Sequence, residues 1–434
     1  MSFKAFLVTI LVILLAFSCK SKKKAQFVKT IQKLEDPNML IRLQELGNPC
    51  RDPLNYVPDP EHLDHFPMKY IKVNFHVIRN DEGLGNFGEK EGTKYMNQLL
   101  WNATGKLKNN VKMKLPLGND TPVLPMRYTY VLTPDPSIPG DDGIYFHNDD
   151  EHYYVNIKGK NKNNYDRSVF EKYGIQKGEV LNVMVQDVHL DSLGSKTFKA
   201  SSNGIAFSTW VKGGYWYQAV NTAKEVNGKI TYPLKWIPPL NLNHEIGHVF
   251  SLKHSWRRDG CDDTPMHSNC WSSTGKPPCE VASNNMMDYN PYRNAVTPCQ
   301  IGNFLMTASR NPTKRNLLIK SWCKWKENKT IRISEDIEWN ACKELEGHII
   351  IENGGKLTIR CKVALPATAR IEVRPGGALV LDGAEIYNDC GQEWDGIKVF
   401  SDGINVGKVN YYRPSKILNA RHEVLMEGES LEKS

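Results

Sequence analysis

The alternation of apolar and polar residues divides the chain into segments of different character. Tyr70 to Ile78 (YIKVNFHVI) alternates as a half-buried strand does, because successive strand side chains point to opposite faces. Met126 to Leu132 and Val180 to Val188 read as further strands, and Asn203 to Ser208 as a short one. Glu89 to Leu107 reads as a helix, and so does Gln300 to Leu318, which closes this region. Between them, the apolar, proline-containing run Leu234 to Leu242 leads into a helix rich in histidine. Strands interleaved with helices in this way predict an α/β (α+β) domain.

The patterning lapses on either side of the central region. Gln26 to Pro67 is polar, charged and proline-containing, and reads as a tether or pro-segment. From Ser255 to Cys299 regular periodicity almost disappears, and Cys261, Cys270, Cys279 and Cys299 stand among Asp, Pro, Ser and Asn. A loop-rich subdomain of this kind needs staples, and four cysteines supply two bridges in any of three pairings. After residue 327 short β-runs broken by Gly-Gly take over. Ile351-Glu352-Asn353-Gly354-Gly355-Lys356-Leu357 recurs 22 residues later as Val373-Arg374-Pro375-Gly376-Gly377-Ala378-Leu379, and Trp394 to Ile397 begins a candidate third repeat. Stacked rungs of a small all-β, solenoid-like domain account for the repeat; a β-sandwich with two similar hairpins is the alternative.

The N-terminus adds a compartment. Met1 to Lys4 is short with one lysine, Ala5 to Phe17 is apolar, and Ala16-Phe17-Ser18 ends the run in front of Cys19. This is a secretory signal too short to span a membrane comfortably. Its end resembles a bacterial lipobox, in which the cysteine becomes the lipid-modified first residue; a plain cleaved signal peptide is the alternative. Lys20 and Lys22 to Lys24 would then face anionic head groups or solvate the tether. The implied location is the cell envelope, either periplasm-facing or on the cell surface, with the membrane reached through a lipid anchor. Nine cysteines remain after Cys19, most of them beyond residue 260, and in an oxidising compartment they read as disulfides with one thiol left over. The net charge of +8 is modest and no basic stripe is interleaved with aromatics, so nucleic acid is not an expected partner.

The candidate chemistry lies in His244-Glu245-Ile246-Gly247-His248-Val249-Phe250-Ser251-Leu252-Lys253-His254. On a helix His244 and His248 share a face and can offer two imidazole nitrogens to one metal ion. Zn2+ suits such donors. His254 follows after well over one and a half turns, so it joins the other two only if the helix ends soon after His248 and the chain turns back. Three protein ligands with one open position make a catalytic arrangement rather than a structural one. Glu245 then serves as general base, taking a proton from the attacking water and delivering it to the leaving amine. Peptide-bond hydrolysis without a covalent intermediate is the expected reaction, and the partner is a protein or peptide substrate.

Asn284-Asn285-Met286-Met287-Asp288-Tyr289 follows the cysteine-rich loop, with Thr297-Pro298-Cys299-Gln300 just beyond it. His244 to His254 resembles the extended zinc motif of the metzincins, and Met287 falls where their Met-turn belongs. Together with Asp263-Thr264-Pro265, NMMDY and the Thr-x-x-Gln run, the pattern resembles the pappalysin family more narrowly, over roughly Tyr70 to Ser321. The resemblance implies His244, His248 and His254 as zinc ligands and Glu245 as base. It also implies Met287 as an apolar floor beneath the metal, and Tyr289 as a residue that swings to the zinc or steadies the oxyanion. The family usually has glycine where Ser251 stands, at the left-handed turn that brings back the third histidine. Asn290, Pro291 and Tyr292 occupy the stretch where members selecting a basic residue carry an acid, so that preference is not carried over.

Three further expectations concern calcium, Cys50 and the domain organisation, the first two following from the resemblance. Asp262, Asp263 and Asp288 offer oxygen ligands for Ca2+. Cys50, upstream of the domain, is a candidate zinc switch whose thiolate silences the enzyme, with a disulfide to a C-terminal cysteine as the alternative. The organisation is a signal peptide over 1–19, a tether or pro-segment over 20–67, a metzincin-like peptidase domain over 68–325, and a β-rich repeat region over 326–434. A surface binding protein with an idle metal site is the alternative from another class. A thermolysin-like site with Glu280 as third ligand is a further one.

Overall fold

β1 (Lys69–Arg79) organises the first half of the chain. The computed structural model describes residues 48–155, 166–188, 204–215, 224–226, 229–231, 237–268, 270–290 and 292–426. The expected signal segment, Cys19 and the lysines after it lie outside these residues. Among the described residues no helix is long and apolar enough to cross a membrane.

Along one edge of β1, β2 (Tyr128–Leu132) and β3 (Ile144–Asn148) pair end to end, both parallel to it. On the other edge lie β4 (Leu181–Val185) and β6 (Trp210–Gly213), also parallel, and then β5 (Gly204–Ala206), antiparallel to β6. A two-stranded hairpin, β7 (Lys224–Val226) with β8 (Lys229–Thr231), stands apart from this sheet. α1 (Glu89–Lys108) buries Tyr95, Met96, Leu99, Leu100, Ala103 and Leu107, a three- and four-residue spacing that makes one apolar face. α2 (Ser168–Tyr173) is a short helix ahead of β4. α3 (Ile237–Val249) carries the histidines and packs against α1 and β5. Pro238 and Pro239 occupy its first turn, where a missing N–H costs nothing. The chain is thus a mixed α+β fold with parallel sheets.

The helix expected over Gln300 to Leu318 is two helices, α4 (Pro298–Arg310) and α5 (Pro312–Asn316). Pro312 is the cause, because the residue before a proline is driven to extended backbone. Asn311 has φ −84° and ψ 115°, and its side chain caps α5 by accepting from Lys314 N–H.

Beyond residue 330 the chain visits three parallel sheets in rotation. Ile331–Ile333, Ile349–Ile351, Arg370–Val373, Gly396–Val399 and Val424–Met426 form the first. Asp336–Trp339, Lys356–Ile359, Ala378–Leu381 and Lys408–Tyr411 form the second. Lys343–Glu344, Lys362–Ala364, Glu385–Tyr387 and Lys416–Ile417 form the third. The 22-residue repeat is a pairing register: Ile351 lies beside Val373, and Leu357 beside Leu379. Gly-Gly recurs for a steric reason. Gly354 and Gly376 take φ of 82° and 78°, and a Cβ on Gly355 would stand 2.2 Å from the Ile333 carbonyl oxygen of the preceding rung.

Residues 48–67 are not a free tether. They form short 3-10 turns against α4, with Tyr56 buried, and Cys50 is bonded to Cys361 in the rungs. This corrects the zinc-switch expectation for Cys50, since a sulfur held in a disulfide has no thiolate to offer a metal. The free cysteine among the described residues is Cys342, which is buried. Tyr56 ties the three parts together: its hydroxyl donates to Cys50 O at 3.0 Å and accepts from Cys342 N–H at 3.1 Å. Alongside, buried Glu344 pairs with Lys69 and Arg315, and Arg315 also reaches Asp389 at 2.8 Å. Burial opposes ionisation of Glu344, yet the two cations hold its carboxyl below the usual range. The other bridges are Cys261–Cys299, Cys270–Cys279 and Cys323–Cys390, the first two stapling the loop-rich subdomain.

Candidate metal centre

α3 ends where the ligand geometry needs it to end. Leu252 N–H bonds Gly247 O at 2.9 Å and Ser251 N–H bonds His248 O at 3.0 Å, the paired bonds of a Schellman cap. Ser251, at the position that glycine normally takes, has φ 70°. That turn swings His254 back over the helix. His248 Nε2 then lies 3.1 Å from His244 Nε2 and 3.0 Å from His254 Nε2.

These contacts are not hydrogen bonds between the first two rings. His244 Nδ1 meets Met286 O at 2.9 Å and His248 Nδ1 meets Leu252 O at 2.7 Å. A carbonyl only accepts, so both Nδ1 atoms carry the proton and both Nε2 atoms present lone pairs. Burial, followed by the neighbouring imidazoles, pushes His244 well below the ordinary histidine range, and His254 to about 3. The rings are therefore neutral, as ligation requires. Two nitrogens on one tetrahedral zinc stand roughly 3.3 Å apart for bonds of about 2.0–2.1 Å. The donor set fits a metal ion, and His244, His248 and His254 could hold one.

Glu245 is buried on the same helix, and burial pushes its carboxyl up to about 8 against the opposing charge of Arg293. It lies directly on β5: a Cβ on Gly204 would come 2.5 Å from Glu245 Oε1. Arg293 is itself buried, bonded to Asn241 Oδ1 and, at 3.3 Å, to Asp288 O; burial lowers it to about 10. Neither Gly204 nor Arg293 stands out in the sequence, because nothing in their local pattern marks them as neighbours of Glu245.

Met287 is buried against the C-terminal part of α3, at Gly247. Its turn is suspended from several points. Met287 O accepts from Ser255 N–H at 3.1 Å, Met286 O accepts from His244, and Met287 N–H bonds Asn285 Oδ1 at 2.8 Å. Asn285 and Gln300 exchange two amide hydrogen bonds of 2.8 and 3.1 Å. Gln300 belongs to the capping box that opens α4 with Thr297. The Thr-x-x-Gln run thus holds the methionine turn through Asn285.

Tyr289 is half-buried, its ring centroid 5.0 Å from that of His254 and 5.7 Å from that of His244. Trp256 stacks on His254 at 4.1 Å, and Trp271 packs 5.1 Å from Tyr289. Sequence reading passed over both tryptophans. The spacing of Trp256, two residues after His254, was the available signal.

Two of the three aspartates expected to offer calcium ligands have other partners. Asp263 accepts from Thr297 Oγ1 at 2.7 Å and Cys299 N–H at 2.9 Å, which caps α4, while Asp288 lies 3.1 Å from His267. Asp262, Asp263 and Asp288 form no common cation group among the described residues, and Glu280 does not join the histidines. A cavity of about 600 Å3 lies elsewhere, lined by Cys50, Arg310, Arg315, Cys342, Arg360 and others.

No protein-family model and no curated protein matches the chain. Among solved structures it is similar to mirolysin in complex with compound 9, with a TM-score of 0.39 and 17% identity, over 58% of this chain and 97% of that one.

Proposed function

We propose that the chain is an exported, zinc-dependent endopeptidase of the pappalysin-like metzincin kind. The observation that carries this reading is the convergence of three imidazole Nε2 atoms, with two Nδ1 protons pinned on carbonyl oxygens and buried Glu245 next to the first ligand in sequence. His244, His248 and His254 would hold the ion. Zinc at that position supplies Lewis acidity toward the scissile carbonyl and lowers the pKa of water toward ~7.

The chain's own residues do the rest. Glu245, next to the first ligand, takes the proton of the attacking water and passes it to the leaving amine. Arg293 and Gly204 position that carboxylate, the first by charge and the second by leaving room. Met287 would supply an apolar floor under the ligand helix, and Tyr289, whose ring lies 5.0 Å from that of His254, would steady charge on the carbonyl oxygen. The lipobox-like end at Cys19 supports an envelope lipoprotein acting on protein or peptide substrates.

The test is metal analysis of the purified protein, followed by digestion of a peptide library with and without chelator, beside Glu245→Ala. About one zinc per chain, and cleavage lost in both the chelated and the Glu245→Ala samples, is expected. Zinc binding with no cleavage that depends on Glu245 would overturn the peptidase reading.

A further inference from the structure

Trp256, Trp271 and Tyr289 form one aromatic group that begins on a ligand histidine and ends at the surface. Trp256 lies parallel to His254, with centroids 4.1 Å apart and planes 14° apart. Tyr289 closes on Trp256 at 4.4 Å, and Trp271 meets both, at 5.1 Å from Tyr289 and 6.0 Å from Trp256. The group is anchored from behind. Trp256 follows Ser255, whose N–H bonds Met287 O, and Tyr289 N–H bonds Asp288 Oδ1 at 2.7 Å. Trp271 neighbours Cys270, which is buried and bridged to Cys279.

The core does not need these rings. None of the three belongs to the buried clusters that hold the fold together, and Trp271 keeps 40% of its surface in water. Exposing an indole forfeits much of the gain from burying it. Two of the rings lie within 5.0 Å, centroid to centroid, of a metal-ligand imidazole, so whatever covers them lies beside the reacting bond.

We infer that Trp256, Trp271 and Tyr289 form a substrate subsite that receives a large aromatic side chain of the peptide flanking the scissile bond. The inference rests on the peptidase reading and names the substrate class for it. A planar side chain adds an offset or edge-to-face contact to that group, beyond the area it buries. A hydrophobic subsite discriminates by roughly 10–200-fold.

The experiment pairs turnover with binding. One peptide series, identical except for Phe, Trp, Leu, Ala or Glu at the position next to the cleaved bond, is assayed for kcat/KM on the zinc-loaded full chain. The Phe and Ala members are also titrated calorimetrically onto zinc-loaded Glu245→Gln. Phe and Trp are expected to exceed Ala at least tenfold in kcat/KM, mainly through KM, with a matching difference in affinity for Glu245→Gln. Trp271→Ala should collapse the Phe-to-Ala ratio several-fold while retaining its zinc. Trp101→Ala, an exposed indole on α1, should leave the ratio intact. Turnover with a flat series, or a ratio that survives Trp271→Ala, overturns the subsite and leaves the peptidase standing. Selective binding of the Phe peptide without any cleavage keeps the subsite and overturns the peptidase. Neither binding nor cleavage overturns both.

Discussion

Gly247 and Met287 occupy space that only a glycine leaves open. A Cβ on Gly247 would stand 2.7 Å from the Met287 sulfur and 3.3 Å from its terminal methyl. Methionine fills irregular gaps well, and here the gap is one hydrogen wide on the ligand helix.

Gly247→Ala therefore tests how tightly the methionine turn is pressed onto α3. Alanine gains about 1 kcal/mol in helix propensity, but overpacking a filled site costs about 1–3 kcal/mol. The expected net effect is a lower melting temperature and weaker zinc retention against chelator. Met287→Ala in the same chain should recover part of the loss, because the clash then has no partner. Additive losses in the double variant would argue against the contact.

Ser251 is the second residue where backbone geometry and ligand geometry meet. Its φ of 70° costs a non-glycine residue about 1–2 kcal/mol. Ser251→Gly should raise the melting temperature by a few degrees and keep zinc. Ser251→Val should do the reverse, since a branched side chain resists positive φ strongly, and it should lose His254 before the other two ligands. Equal zinc affinity in the valine variant would show that His254 does not depend on this turn.

Cys50 calls for a prediction opposite to that of a latency switch. The Cys50–Cys361 bridge closes 311 residues, and the chain-entropy model gives a constraint of that length up to about 5 kcal/mol. Cys50→Ala should lower stability and loosen residues 48–67 from α4, seen as faster proteolysis there, without raising activity. A rise in activity of the Cys50→Ala protein would restore the switch.

The site was more legible than the scaffold around it. His244, Glu245 and His248 are linked by helical spacing alone, so sequence places them on one turn, and Ser251 could be marked as the strained position before any coordinates. The 22-residue repeat was legible for the same reason: Ile351 and Val373 are neighbours in register. Arg293 was not, because its relation to Glu245 arises from two segments meeting in space. The fate of Cys50 was not either, since a bridge across 311 residues leaves no local trace. Residues 48–67 looked like a tether because their apolar content is low. Buried Tyr56, Pro58 and His65, with one disulfide, dock them.

Buried His76 and its partner His147 make the fold acid-sensitive. His76 lies in the middle of β1 with no exposed surface, and its Nε2 donates to Asn182 Oδ1 at 2.9 Å. Its Nδ1 is then the acceptor for His147 Nε2 at 3.0 Å, an arrangement satisfied only while His76 is neutral. Burial, reinforced by His147, pushes His76 down to about 3, and burial pushes His147 down to about 4. Unfolded histidines titrate near 6.5, so between that pH and about 4 the unfolded chain takes up protons that the folded chain refuses. Stability is therefore fully present above about pH 6.5 and falls as the pH drops. The loss is about 1.4 kcal/mol per pH unit for His76, and less for half-buried His147, whose charge solvent screens. Urea unfolding at pH 7.5, 6.5 and 5.5 measures this, with chelator present throughout to remove any contribution from a bound ion. His76→Gln together with His147→Gln should reduce the slope, leaving the share of the other depressed histidines, His65, His244 and His254, while lowering stability at pH 7.5. A slope unchanged in that double variant would place the acid sensitivity elsewhere.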